Sequence, residues 1–195
     1  MRIRKFFGEV IELTDDALLD KVCSFAEVVE IKKNTVLVRQ GEVQKNISLI
    51  LEGVYRGFYV DVNGKEITDC LGFRCGEPAM ACMRMDFPSE ITIEAVTDGQ
   101  CLQLPIQEML NLSRHYPELE MMYNNLLLQG ISRHSAIKKV MKQFDAMGRY
   151  QWFLEAYPGL IDVVSHKDIT SFIGITPVSL SRLRRTLQEK DEESL

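Results

Sequence analysis

Near the C-terminal end, His166 and Lys167 open one short apolar-periodic run, and Arg182, Arg184 and Arg185 lie in a second run beyond the turn Gly174-Ile175-Thr176. A guanidinium fork can donate two parallel hydrogen bonds to the O6 and N7 of guanine, or clamp a phosphate. Imidazole, ammonium and hydroxyl groups suit phosphate oxygens. At about 100° per helical residue, Leu180, Leu183 and Leu187 share one face, and Val178, Arg182, Arg185 and Glu189 lie opposite. Ser179 and Ser181 flank that outer face. Val178, Ser179 and Arg182 are the candidates for base edges, with the valine methyls suited to thymine. His166, Lys167, Ser181 and Arg185 are the candidates for phosphates. The same pattern also describes a helical hairpin with a solvated basic face, and periodicity alone leaves both open.

Two short helices must hold these groups. Ser165 can cap the first, with Asp168 three residues on, and Ile169, Phe172 and Ile173 form its inner face. Gly174 supplies the turn, Thr176 caps the second helix, and Pro177 takes its favoured first position. Helix, tight turn and helix with Arg and Ser outward is the helix-turn-helix pattern. Upstream, "DAMGRYQWFLEAYP" reads as a helix stopped near Pro158-Gly159. Pro117 opens a longer one to about 141, and Pro105 suits the first turn of "IQEMLNLSRHY". Leu119, Met122, Leu126 and Ile137 mark an apolar stripe on the long helix, with Gly130 mid-way. Residues 27–105 are different. "EVVEIKK", "TVLVRQ", "ISLILEGVYRGFYV", "KEITDCLGF", "EITIEAV" and "CLQLP" are short β-type runs separated by turn signals, as in a sandwich or barrel. Asn63-Gly64 predicts a hairpin with a primed turn, positive φ at both residues. Thr14 is placed to cap a helix over 14–24.

The 195 residues carry a net charge of −5, distributed unevenly. Residues 131–190 hold +5, residues 1–130 hold −7, and the tail holds −3. Local charge therefore admits nucleic acid where the total would not. No apolar run is long enough to span a bilayer, and the first residues turn acidic too soon for a secretory signal, so a cytoplasmic protein without membrane contact is expected. The five cysteines form no C-x-x-C pair and read as free thiols. His115, His134 and His166 lack ligand spacing, so no metal is expected. No nucleophile elbow, P-loop, dinucleotide fingerprint or H-E-x-x-H occurs, which argues against an enzyme. Acids such as Asp61, Asp69 and Glu94 fit solvated strand faces and turns.

The order of strand-rich domain, long helix and helix-turn-helix resembles the cyclic-AMP receptor/FNR family of bacterial transcription regulators. "RQGE" (39–42), "LEGVYRGFYVDVNGKEI" (51–67) and "CGEPAM" (75–80) are similar to its β-roll, and "KDITSFIGITPVSLSRLRR" to its reading head. The resemblance implies an α+β fold: a double-stranded, jelly-roll-like β-roll over 1–116, a dimerisation helix over 117–141, and a helix-turn-helix domain over 142–195. It also implies a homodimer paired through Leu119, Met122, Leu126, Gly130 and Ile137, binding a palindromic duplex, with RNA polymerase as a further candidate partner. A wing after the reading helix, usual in the family, is not expected before Leu195. Family members that bind cyclic nucleotides hold the ribose with the Glu of a Gly-Glu and the phosphate with an Arg-Ser or Arg-Thr. Gly76-Glu77 matches the first, but Ser89-Glu90 stands at the second, and Arg84, near in sequence, is a candidate substitute. An anion opposite Glu90 would be repelled, so no cofactor is expected and cyclic AMP least of all, the effector being left open. A β-roll that binds a ligand or a protein but no DNA is the alternative.

Overall fold

A computed structural model describes residues 3–79 and 87–193, with side chains described up to Leu187. Arg84 and Cys82 lie outside the described residues. The chain forms two compact units, Met1–Tyr59 with Asp69–Gly130, and Val60–Thr68 with Ile131–Leu195. The division falls inside the long helix.

The first unit, with the hairpin tip Val60–Thr68 excepted, carries helices α1 (Ile3–Glu9) and α2 (Asp16–Phe25) and then strands β1 (Glu27–Ile31), β2 (Val36–Val38), β3 (Asn46–Glu52), β4 (Tyr55–Val60), β5 (Glu66–Gly72), β6 (Thr92–Ala95) and β7 (Gly99–Pro105). They form two sheets ordered β1-β7-β3 and β2-β6-β4-β5, with antiparallel pairing such as Leu49↔Leu102 and Arg56↔Glu94. The run "ISLIL" is buried on both faces, which explains why it lacks polar alternation. Leu49 packs with Phe6 and Phe7 of α1, Leu18 and Val22 of α2, and Leu102 and Leu104. Ile50 points the other way, among Tyr55, Ile93, Ala95 and Cys101. Burial there pushes the Cys101 thiol up, despite its hydrogen bond to Tyr55.

Helix α3 (Ile106–Ser113) follows with Pro105 as its N-cap residue, and α4 (Pro117–Gln143) runs on from it. Asp15, not Thr14, caps α2, its carboxylate accepting from the Leu18 N–H at 2.8 Å. Thr14 instead donates its backbone N–H and its hydroxyl to the Glu118 carboxylate, at 2.6 and 3.0 Å. A carboxylate from α4 thus serves the positive end of α2. Glu94 is not on a solvated face: its carboxylate pairs at 3.0 Å with Arg56, whose guanidinium lies 4.2 Å from the Phe58 ring centre, and both charged groups are largely buried. The β4–β5 hairpin forms, but with a different turn. Only Gly64 has positive φ, at 77°, and the Asp61 carboxylate accepts from the N–H groups of Asn63 and Lys65 at 2.8 and 2.9 Å. An aspartate that gathers the turn's amides removes the need for a primed turn. The Lys65 amide, then that of Asn63, holds the Asp61 carboxyl below its ordinary range.

The second unit contains α5 (Ala146–Ala156), α6 (Leu160–Val163), α7 (His166–Phe172) and α8 (Pro177–Glu193). Its core is aromatic. Phe153 stacks on Tyr157 at 5.4 Å between ring centres, and Phe172 meets the Tyr157 ring edge-on at 5.3 Å. Ile169, Ile173 and Leu180 are buried as their periodicity requires. Gly174, at φ 64°, turns the chain between α7 and α8. Arg149 of α5 donates from Nη1 to the carbonyls of Ile173 and Gly174, both at 3.1 Å, satisfying oxygens that the end of α7 leaves open. A Cβ on Gly174 would meet that nitrogen at 3.0 Å. Gly174→Ala therefore combines left-handed strain with a shift of Arg149. It should destabilise this unit by about 1–2 kcal/mol, seen as a lowered chemical-denaturation midpoint with unchanged slope. An unchanged midpoint would show that the turn tolerates a side chain.

Candidate nucleic-acid interface

Both helices of the pair begin at caps that the sequence names. Ser165 Oγ accepts from the Asp168 N–H at 3.1 Å and bonds the Asp168 carboxylate at 2.6 Å. Thr176 Oγ1 accepts from the Ser179 N–H at 3.1 Å, and the two hydroxyls lie 2.9 Å apart. The caps fix where each helix starts, and so which residues face out.

On α8, Val178 is 62% exposed, and Ser181, Arg182 and Arg185 are exposed or partly exposed with it. Ser179 has its hydroxyl engaged with the cap, so it serves the helix start as much as any outside group. Ser181 and Arg185 join His166, Pro177, Leu180 and Arg184 around an open groove of about 400 Å³. Three of the four phosphate candidates, His166, Ser181 and Arg185, thus meet at one place. The fourth, Lys167, is exposed on α7 beside it in sequence. Arg184 is the residue that phasing passes over, since it falls between the buried and outer faces. Its Nη1 donates to His166 Nε2 at 2.8 Å, which makes Nε2 the acceptor and puts the imidazole proton on Nδ1. The groove therefore offers two guanidiniums, an imidazole and a hydroxyl over an apolar floor, a set of donors that suits a phosphate diester.

Of the effector-pocket candidates, Gly76, Glu77, Ser89 and Glu90 lie among the described residues. Glu77 closes its own turn: its Oε2 accepts from the N–H groups of Phe73 and Arg74 at 3.2 and 3.3 Å, and Arg74 Nη1 pairs with Oε1 at 3.2 Å. Gly76, at φ 87°, donates its N–H to the Ile50 carbonyl. The buried Ser89 is likewise local, its hydroxyl exchanging hydrogen bonds with the backbone of Ile91. Glu90 is exposed. The dimer candidates are also redistributed. Leu119 is 2% exposed and sits in the α1–α2 core, and Met122 packs against that core. Leu126, Gly130 and Ile137 are half-buried. The apolar side chains that α4 leaves open are Met121, Leu128 and Ile131, at 66%, 61% and 48% exposure, almost opposite the predicted stripe. Among the described residues no group of His, Cys, Asp and Glu could hold a metal ion, and no helix is long and apolar enough to cross a membrane.

No curated protein matches the sequence. Residues 28–116 match the cyclic nucleotide-binding domain family. FixK2 from Bradyrhizobium japonicum superposes with a TM-score of 0.76 at 13% identity, over 85% of this chain and 86% of that one. The c-di-GMP-responsive global regulator CLP of Xanthomonas campestris gives 0.71 at 12% identity, over 91% and 93%. A CRP-family transcriptional regulator from Thermus thermophilus gives 0.66 at 16% identity, over 84% and 85%. The two-sheet roll followed by a long helix and a capped helix pair is therefore a cyclic nucleotide-binding-type domain joined to helices in the α+β fold of the CRP/FNR transcription regulators.

Proposed function

We propose that this chain is a cytoplasmic, non-enzymatic, DNA-binding transcription regulator that works as a homodimer and does not respond to cyclic nucleotides. One observation carries the reading: the capped helix pair turns Val178, Arg182, Arg185 and the His166–Arg184 groove outward, on the basic segment of an otherwise acidic chain. The start of α8 enters the major groove, with Val178 and Arg182 at base edges and Ser179 beside them. His166, Lys167, Ser181, Arg184 and Arg185 take phosphates. Met121, Leu128 and Ile131, exposed together on one side of α4, support two-fold pairing along that helix. Such pairing would set two heads about one DNA turn apart, roughly 34 Å. RNA polymerase is a candidate partner of such a complex.

Three measurements test this. Arg182→Ala should lose discrimination of about 1–3 kcal/mol at one base pair of each half-site, whereas Arg185→Ala should weaken all duplexes alike and reduce the salt slope by about one per head. Equal loss by Arg182→Ala on selected and scrambled DNA would make Arg182 a backbone contact. Leu128→Glu should give monomers by sedimentation at micromolar concentration, and a dimer that persists would place the interface elsewhere. Calorimetry should show no dissociation constant below about 10 μM for cyclic AMP or cyclic GMP, since the charge-assisted phosphate partner is missing. Tighter binding would contradict the reading of Ser89 and Glu90.

A further inference from the structure

The hairpin tip Val60–Thr68 folds with the helices of the second unit, although the strands on either side of it belong to the two-sheet roll. Among the described residues, an ion pair and a hydrogen bond join it to α7. Lys167 Nζ lies 3.5 Å from Glu66 Oε2, and the Thr68 N–H donates to Ser171 Oγ at 2.9 Å. Lys167 and Ser171 share one face of α7, Lys167 meeting the Glu66 side chain and Ser171 the Thr68 backbone N–H. The tip itself is stiff, its amides gathered by the Asp61 carboxylate and its Gly64 in the left-handed region. The contact is also imperfect: Thr68 Oγ1 is buried with no hydrogen-bond partner among the described residues. A lifted hairpin would recover that bond from water. Among the described residues an ion pair and a hydrogen bond thus meet at the tip beside a buried hydroxyl that lacks a partner.

Lys167 is also a phosphate candidate of the reading head. A carboxylate on it neutralises one cation where DNA needs one, and repels the phosphate that would replace it. From this we propose that the β4–β5 hairpin is an autoinhibitory latch: Glu66 occupies Lys167 as an internal competitor for DNA phosphate, and Thr68–Ser171 sets the register of the contact. The proposal rests on the DNA-binding reading above and adds its regulation. The latch strand β5 continues from Thr68 into the four-stranded sheet, so a ligand or partner that shifts β5 toward the lifted position would raise DNA affinity by as much as it prefers that state.

The test uses the full chain, a selected duplex, and the variants Glu66→Gln, Lys167→Gln and the pair together. Glu66→Gln is expected to tighten DNA binding by about fivefold at low salt, with the gain fading at high salt. In the Lys167→Gln background the same change should have no effect. Hydrogen exchange at the Thr68 amide should quicken in Glu66→Gln, a readout that needs no DNA. Unchanged or weaker binding by Glu66→Gln overturns the latch while leaving the DNA-binding reading standing. An equal gain in the Lys167→Gln background also overturns it, since Glu66 would then act only as distant negative charge. A wild-type chain that binds no duplex overturns both.

Discussion

The geometry of the capped helix pair depends on one side chain. Arg149 reaches from α5 to the carbonyls of Ile173 and Gly174, and so ties the turn of the helix pair to the helix beneath it. Those carbonyls follow directly on α7, which the Ile173 N–H closes by donating to the Ile169 carbonyl, and α8 starts from its cap at Thr176. The direction of α8, and with it the outward aim of Val178 and Arg182, follows from where the turn is held. Arginine suits this place because one planar group serves two acceptors. The aromatic cluster of Phe153, Tyr157 and Phe172 supplies the packing beneath, but rings set spacing more than direction.

Charge is the second constraint. The roll segment is acidic and the helical segment basic, so attraction to a polyanion is confined to a small surface. Within that surface the cations are not equivalent. Arg182 and Arg185 lie on the outer side of α8, Arg184 is engaged with His166, and Lys167 with Glu66. Under the proposed DNA-binding function, Arg184 and Lys167 would each exchange a protein partner for a phosphate.

What the sequence made legible was local. Ser165, Thr176, Pro177 and the buried Leu180 of α8 act within a turn or two of themselves, and periodicity and capping chemistry find them. The two-sheet roll was legible as a class because short β-type runs alternate with turns. Long-range choices were not. Arg149 acts 24 and 25 residues away, Glu118 reaches the start of a helix more than 100 residues before it, and Arg184 finds His166 across 18. The long helix shows why a stripe is not yet an interface. Leu119 and Met122 are apolar for the sake of α1 and α2, and the open face lies on the other side. Glu77 accepts from the amides of its own turn, a contact within four residues that Gly76-Glu77 as a sequence pair does not announce.

The central claim is that a paired, capped helix-turn-helix reads duplex DNA. Selection of bound sequences from a random duplex pool, using the full chain, tests it most directly. The account predicts enrichment of a two-fold symmetric motif whose half-sites lie about one helical turn apart, roughly 34 Å. A folded protein that enriches no sequence over the starting pool would contradict it.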